Sequence, residues 1–197
     1  MYKVGITGGI GSGKTTLCRM FGELGIPIYN SDAKAKALMA DDKELQRQII
    51  AEFGDESYVA GELNRAYLAS KVFGDPDSLT KLNAIVHPRV KKDFLDWCNM
   101  QDAPYVILEC AILFEAKFDD CVDKTVCVLA PKNMRIERVI SRDTLTQEQV
   151  EDRMANQMTD EELHAKSNLS VVNFDLEDLE DAAKLFDKKI RYEAGLH

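Results

Sequence analysis

Three short runs, Tyr2 to Thr7 (YKVGIT), Tyr105 to Cys110 (YVILEC) and Lys124 to Leu129 (KTVCVL), are apolar at nearly every position, as strands buried on both faces are. Leu169 to Val172 (LSVV) reads as a fourth strand and Ile26 to Tyr29 as another short one. Helical patterns separate them, an alternation that predicts an α/β fold with a parallel sheet flanked by helices. The first helix spans Thr15 to Leu24, stopped by Gly25 and Pro27. Leu176, Leu179, Ala183, Phe186 and Ile190 recur at helical spacing, so the last helix is expected to pack on the sheet. From Ala33 to about Met100 no strand is predicted, only helical stretches broken at Gly54, Gly61 and Gly74-Asp75-Pro76-Asp77. The segment Leu79 to Val86 is expected to end at His87-Pro88-Arg89. Lys132 to Met158 is polar and carries Arg135, Arg138, Arg142 and Arg153, with helices flanking the turn Asp143-Thr144-Leu145-Thr146. It reads as a mobile lid. The expected organisation is one domain over 1–197, with a core (about 1–32, 101–131 and 165–197), a helical substrate-binding insertion (about 33–100) and a lid (about 132–164).

Composition narrows the function. At 197 residues the chain suits one α/β domain with insertions. A formal net charge of −9 disfavours nucleic-acid binding, which needs clustered Lys and Arg. Met1-Tyr2-Lys3-Val4 runs straight into the first strand pattern, and no apolar stretch reaches the length of a membrane span. A cytoplasmic protein, monomeric or weakly homo-oligomeric, without nucleic-acid or membrane partners, is expected. Cys18, Cys98, Cys110, Cys121 and Cys127 contain no C-x-x-C pair, and His87, His164 and His197 lie far apart, so neither a disulfide framework nor a zinc site is indicated.

The chemistry is announced directly behind the first strand. Gly8-Gly9-Ile10-Gly11-Ser12-Gly13-Lys14-Thr15 fits the phosphate-loop pattern G-x-x-x-x-G-K-[ST] in the strand–loop–helix context that the pattern requires, so the fold is a P-loop NTPase fold. The loop's N–H groups, Gly11, Ser12 and Gly13 among them, are expected to converge on phosphate oxygens at the start of a helix. Lys14 is expected to reach the β- and γ-phosphates, Thr15 to ligate Mg²⁺ and Thr16 to lie near the α-phosphate. A plain glycine-rich turn would require neither the Lys nor the hydroxyl. The chain lacks the N-K-x-D guanine-reading motif, and its insertion and Arg-rich lid fit a kinase acting on a small molecule.

Five further positions carry candidate chemistry. Asp32, just past the second strand, is placed to take a proton from a substrate hydroxyl; the alternative reading is an N-cap for a helix from Ala33, and the two roles are compatible. Glu109 ends a strand where a carboxylate behind Mg²⁺ is expected, or is a strand-terminal charge. Arg138 and Arg142 stand one helical turn apart, either converging on a transferring phosphoryl group or forming a solvated face with Glu137 and Asp143. His87 is a structural histidine or a substrate contact.

Together these segments resemble the dephospho-coenzyme A kinase family from residue 2 to about 175. The similar segments, in order, are the phosphate loop Gly5 to Thr16, Leu24-Gly25, Asn30-Ser31-Asp32 against a "D-A-D" element, Leu63-Asn64-Arg65, Val72-Phe73, Leu82 to Pro88, Leu113-Phe114-Glu115 and Arg138 to Asp143. The resemblance implies transfer of the ATP γ-phosphate to the ribose 3′-hydroxyl of dephospho-coenzyme A, with Mg²⁺ as cofactor. It implies Asp32 as general base, Lys14 and Arg142 as phosphate-stabilising cations, and Arg138 and Asn173 on the nucleotide. It also implies His87 and Arg65 on the acceptor side, and Thr15 and Glu109 at the metal. Three positions depart from the family pattern: Asn30 replaces the first Asp of D-A-D, Ala111 replaces a Pro, and Asn168 replaces an acidic residue.

Overall fold

The computed structural model describes residues 1–195, so His197 lies outside the described residues. Two compact units form: Met1–Tyr29 together with the chain from Cys98 onward, and Asn30–Trp97.

The first unit is built on a five-stranded sheet of β1 (Tyr2–Thr7), β2 (Ile28–Asn30), β5 (Tyr105–Glu109), β6 (Lys124–Leu129) and β7 (Leu169–Val172), in the order β2-β5-β1-β6-β7. β1 pairs in parallel with β5 and with β6, and β6 with β7. The central strands are the apolar runs of the sequence, and every residue of β5 is buried. Parallel neighbours put their carboxyl ends on one edge, and the loops emerging there face the same space.

Two helices seal one core against this sheet. α1 (Lys14–Glu23) contributes Leu17, Cys18 and Phe21, and α9 (Leu176–Glu193) contributes Leu179, Ala182, Ala183, Phe186 and Ile190 to a cluster with Val4, Ile6, Ile107, Val126 and Val128. The expected α9 stripe is present except at Leu176, which is exposed at the helix start while Ala182 takes a buried place. α9 begins with a capping box, Asp175 with Asp178. The α6 (Lys132–Arg142), α7 (Gln147–Ala155) and α8 (Asp160–Lys166) segment lies between β6 and β7 in the chain. α7 and α8 start with Thr-based capping boxes, Thr146 with Gln149 and Thr159 with Glu162. Each such box satisfies N–H groups that a helix start leaves open.

The second unit holds α2 (Ser31–Asp41), α3 (Lys43–Phe53), α4 (Arg65–Val72) and most of α5 (Pro76–Cys98). It corrects two sequence expectations. A two-stranded hairpin, β3 (Tyr58–Val59) with β4 (Glu62–Leu63), stands where only helix was predicted. Ala60 and Gly61 connect the strands with φ of 51° and 85°, the left-handed pair that a two-residue hairpin turn needs. Gly61 therefore closes a hairpin rather than breaking a helix. The second correction is α5, which runs on through Pro88 instead of ending there. A proline inside a helix removes one hydrogen bond, but continuing the helix keeps Val86, Val90, Phe94 and Cys98 on one buried stripe at four-residue intervals. That burial outweighs the lost bond.

All five cysteines are buried and none forms a disulfide. Among the described residues no helix is long and apolar enough to cross a membrane. Ile107 is the centre of the most buried strand, with no exposed surface. Ile107→Ala should cost about 2–5 kcal/mol of stability, read from the urea midpoint at unchanged slope.

Candidate functional site

At the carboxyl end of β1 the chain turns sharply, and the turn can be made only with glycine. Gly13 has φ of 104°, and a Cβ placed on it would lie 2.2 Å from Asn173 Nδ2. An L side chain would meet both a strained backbone and an occupied space. Gly13 is also the N-cap of α1, and no side chain caps that helix end. A helix start without a side-chain cap is the kind that receives an anion. Ser12 is buried, and its hydroxyl has no hydrogen-bond partner. A buried, unsatisfied hydroxyl is costly unless a ligand completes it.

Four side chains support this turn. Asn173, buried just past β7, donates from Nδ2 to the carbonyl of Ser12 at 2.7 Å, while its own N–H donates to the Leu129 carbonyl at 2.7 Å. Arg138 of α6 donates to the Asn173 carbonyl at 3.3 Å and to the Phe174 carbonyl at 3.0 Å. Arg135 and Gln157 reach Ile10 from the other side. Lys14 and Thr15 open α1 immediately after Gly13, and Thr16 follows, half-buried. The Thr15 hydroxyl donates to Glu109 Oε1 at 2.5 Å, across 94 residues of chain. Glu109 ends β5, opposite Ile6 of β1, so the sheet register sets the carboxylate beside α1. Beside this pair a groove of about 410 Å³ runs along α1 past Cys18, Arg19 and Gly22 to Ile28.

Both comparisons by sequence point the same way. The sequence profile described as dephospho-CoA kinase matches residues 2–178. The chain is 38% identical over 172 residues to the dephospho-CoA kinase of Bacteroides fragilis, covering 87% of this chain and 84% of that one. The chain belongs to the dephospho-CoA kinase family. A solved structure from Thermus thermophilus superposes with a TM-score of 0.83 at 35% identity, over 95% of this chain and 97% of the other. The Campylobacter jejuni dephospho-CoA kinase, at 19% identity, shares the fold with a TM-score of 0.62, over 95% and 96% of the two chains.

In this family member Arg138 and Arg142 are engaged separately. Arg138 holds the β7–α9 connection, whereas Arg142 pairs with Asp143 through Nε at 3.0 Å and Nη2 at 2.8 Å, with its side chain 64% exposed. Arg138 and Asn173, both expected on the nucleotide, are brought together, and Asn173 lies against the phosphate loop.

Two of the three departures from the family pattern, Asn30 and Asn168, have visible roles in the structure, and nothing in it explains the third, Ala111. Asn30 is the N-cap of α2, accepting from the Ala33 N–H at 2.8 Å. The capping role that Asp32 was open to is therefore filled by Asn30, and Asp32 stands exposed in the first turn of α2. Asn168 sits at the amino end of β7, where its Oδ1 accepts from the Thr125 N–H at 2.8 Å and hydroxyl at 3.0 Å. It pins the start of β6, at the opposite edge of the sheet from the phosphate loop. The Ala111 carbonyl accepts from the Thr7 hydroxyl at 3.3 Å.

In the second unit Arg65 is exposed at the first turn of α4, behind the N-cap Asn64, and His87 is half-buried on α5. Burial, helped by the positive charge of Lys91, lowers the His87 pKa below its usual 6.5. What sequence reasoning missed is the part played by Arg135 and Gln157, whose contacts to Ile10 span 125 and 147 residues. No spacing rule reaches so far.

Gly13→Ala should destabilise the fold by roughly 2–4 kcal/mol, combining left-handed strain with a displaced Asn173, as read by urea denaturation. For His87, whose folded pKa is depressed, the neutral ring's contribution to stability is present above pH 6.5 and is lost as pH falls through the folded value. An NMR titration should give a His87 midpoint below 6.5; a midpoint at or above it would contradict the burial argument.

Proposed function

We propose that this chain transfers the γ-phosphoryl group of ATP to the ribose 3′-hydroxyl of dephospho-CoA, giving CoA and ADP. The observation that carries the reading is the meeting of an uncapped glycine loop with the Thr15–Glu109 pair, in a chain that the family profile covers from 2 to 178.

The roles follow from charge and reach. Phosphoryl transfer needs little covalent help from protein; it needs position and fixed positive charge around the equatorial oxygens. Gly11, Ser12 and Gly13 and the start of α1 would take the phosphates, with the Ser12 hydroxyl satisfied by one of them while its N–H closes the loop on the Gly9 carbonyl at 3.1 Å. Lys14 would neutralise charge as the bond between the γ-phosphorus and the bridging oxygen lengthens. Arg142 would join it by leaving Asp143, an exposed pair that solvent screens and holds only weakly. Asp32 would accept the proton of the 3′-hydroxyl while that oxygen bonds to phosphorus and ADP departs. Thr16, Arg138 and Asn173 would serve the nucleotide, and His87 and Arg65 the acceptor.

The Thr15 hydroxyl and the Glu109 carboxylate are hard oxygen donors held 2.5 Å apart, a set that suits Mg²⁺, which prefers oxygen and shares its shell with phosphates and water. When bound, that ion would neutralise charge on the triphosphate. We further assign acceptor binding to the insertion (about 33–100), closure over the nucleotide to the lid (about 132–164) and the remaining segments to the core, within a single domain. The acidic balance, with net charge −9, favours small-molecule partners over nucleic acid and a monomeric or weakly associated state, and we assign the enzyme to the cytoplasm.

An ADP-release assay with ATP and Mg²⁺ should show turnover with dephospho-CoA and none with AMP, UMP, CMP or shikimate. Turnover with one of the others instead would keep the kinase and discard this acceptor. Asp32→Asn should lower kcat about 10²–10⁴-fold with the KM for ATP changed less than about threefold; near wild-type turnover would remove Asp32 from its role.

A further inference from the structure

Ile10 sits in the first half of the phosphate loop, and the lid segment holds it at three points. Its N–H donates to Oε1 of Gln157, in the α7–α8 connection, at 2.9 Å. Its carbonyl accepts from Nε of Arg135 on α6 at 2.9 Å. Its side chain packs on the small apolar cluster of Ile136, Val139 and Val150, which Leu145 and Met154 complete. Arg135 is buried, 7% exposed, and its Nη1 donates to Asp160 Oδ1 of α8 at 2.8 Å. The guanidinium lies so near the loop that a Cβ on Gly9 would fall 2.0 Å from Nη2.

Such an arrangement does more than pin two helices. A phosphate loop offers its N–H groups usefully only when its backbone is already curved, since ordering a flexible loop on binding subtracts from affinity. Ile10 lies within the curve, and both of its main-chain polar groups are spent on the lid segment rather than on the loop itself. The charged guanidinium makes these bonds away from water, where they are strongest.

We propose that Arg135 and Gln157 are positioning residues for the phosphoryl donor: they set the phosphate loop in its nucleotide-receiving curve and tie that curve to the α6–α8 segment. Asp160 orients Arg135. The proposal rests on the reading of Gly8 to Thr15 as a triphosphate site. It implies that the lid segment has a fixed root at Ile10, and that any closing motion belongs to the part beyond it, around the turn between α6 and α7.

The test uses the full chain with Arg135→Met, which keeps the apolar stem and removes both hydrogen bonds, and with Gln157→Ala. Binding of Mg²⁺–ATP is measured by calorimetric titration, alongside steady-state kinetics and melting temperature. Arg135→Met should weaken ATP binding and raise its KM roughly tenfold or more, and Gln157→Ala roughly fivefold. The acceptor KM should stay within about twofold, and the melting temperature within a few degrees. Asp160→Asn, which retains an acceptor oxygen, should preserve ATP affinity within about threefold.

Wild-type ATP affinity in both Arg135→Met and Gln157→Ala would overturn the proposal. So would equal losses for ATP and acceptor accompanied by a large fall in melting temperature, the mark of a merely structural staple. If Arg135→Met does not fold, Gln157→Ala decides alone, because its contact replaces no buried charge. Failure of the wild-type protein to bind ATP would instead strike the triphosphate reading itself, whatever the variants do.

Discussion

A cradle made of main-chain N–H groups has no stiffness of its own; the surrounding structure must supply it. That requirement organises the first unit of this protein. The ladders from β1 to β5 and β6 fix where the loop begins, the core under α1 fixes where it ends, and Asn173 and Arg135 fill the space into which it could otherwise relax. Glycine is used where those walls come closest. The loop's composition is thus a record of its neighbours as much as of its ligand.

The same requirement explains why so many polar side chains here address carbonyls and N–H groups of the chain itself. Asn173 serves Ser12, Arg138 serves residues 173 and 174, and Arg135 and Gln157 serve Ile10. The loops at this edge of the sheet have no ladder partners, so their backbone groups would be unsatisfied without such help. In the second unit the same logic appears as Asn30 capping α2 and Asp42 capping α3.

How much of this could be read in the sequence depended on range. The strands, the phosphate loop and α1 are written in contiguous residues, where apolar runs and glycine spacing are direct statements about backbone geometry. The Thr15–Glu109 pair was legible because a strand end and a motif position each have a known place in this architecture. The hairpin at Ala60-Gly61 was hidden because two-residue strands are too short to show alternation. The passage of α5 through Pro88 was hidden because local propensity opposed it and only the buried stripe from Val86 to Cys98 decided the outcome. Leu176 was misplaced because a helix's first residue lies beyond the packed stripe. The clamp on Ile10 joins residues with no sequence relation, and only the folded chain brings them together.

The closeness of Gly9 to Arg135 has a consequence for how this protein can change over evolutionary time. The guanidinium occupies the space that any side chain at position 9 would need. A larger residue could enter the loop there only if the guanidinium swung aside and gave up its bonds to Ile10 and Asp160, or if position 135 became shorter. The two sites are far apart in sequence, yet a change at position 9 is felt first at position 135, so the acceptable residues at one depend on the residue at the other.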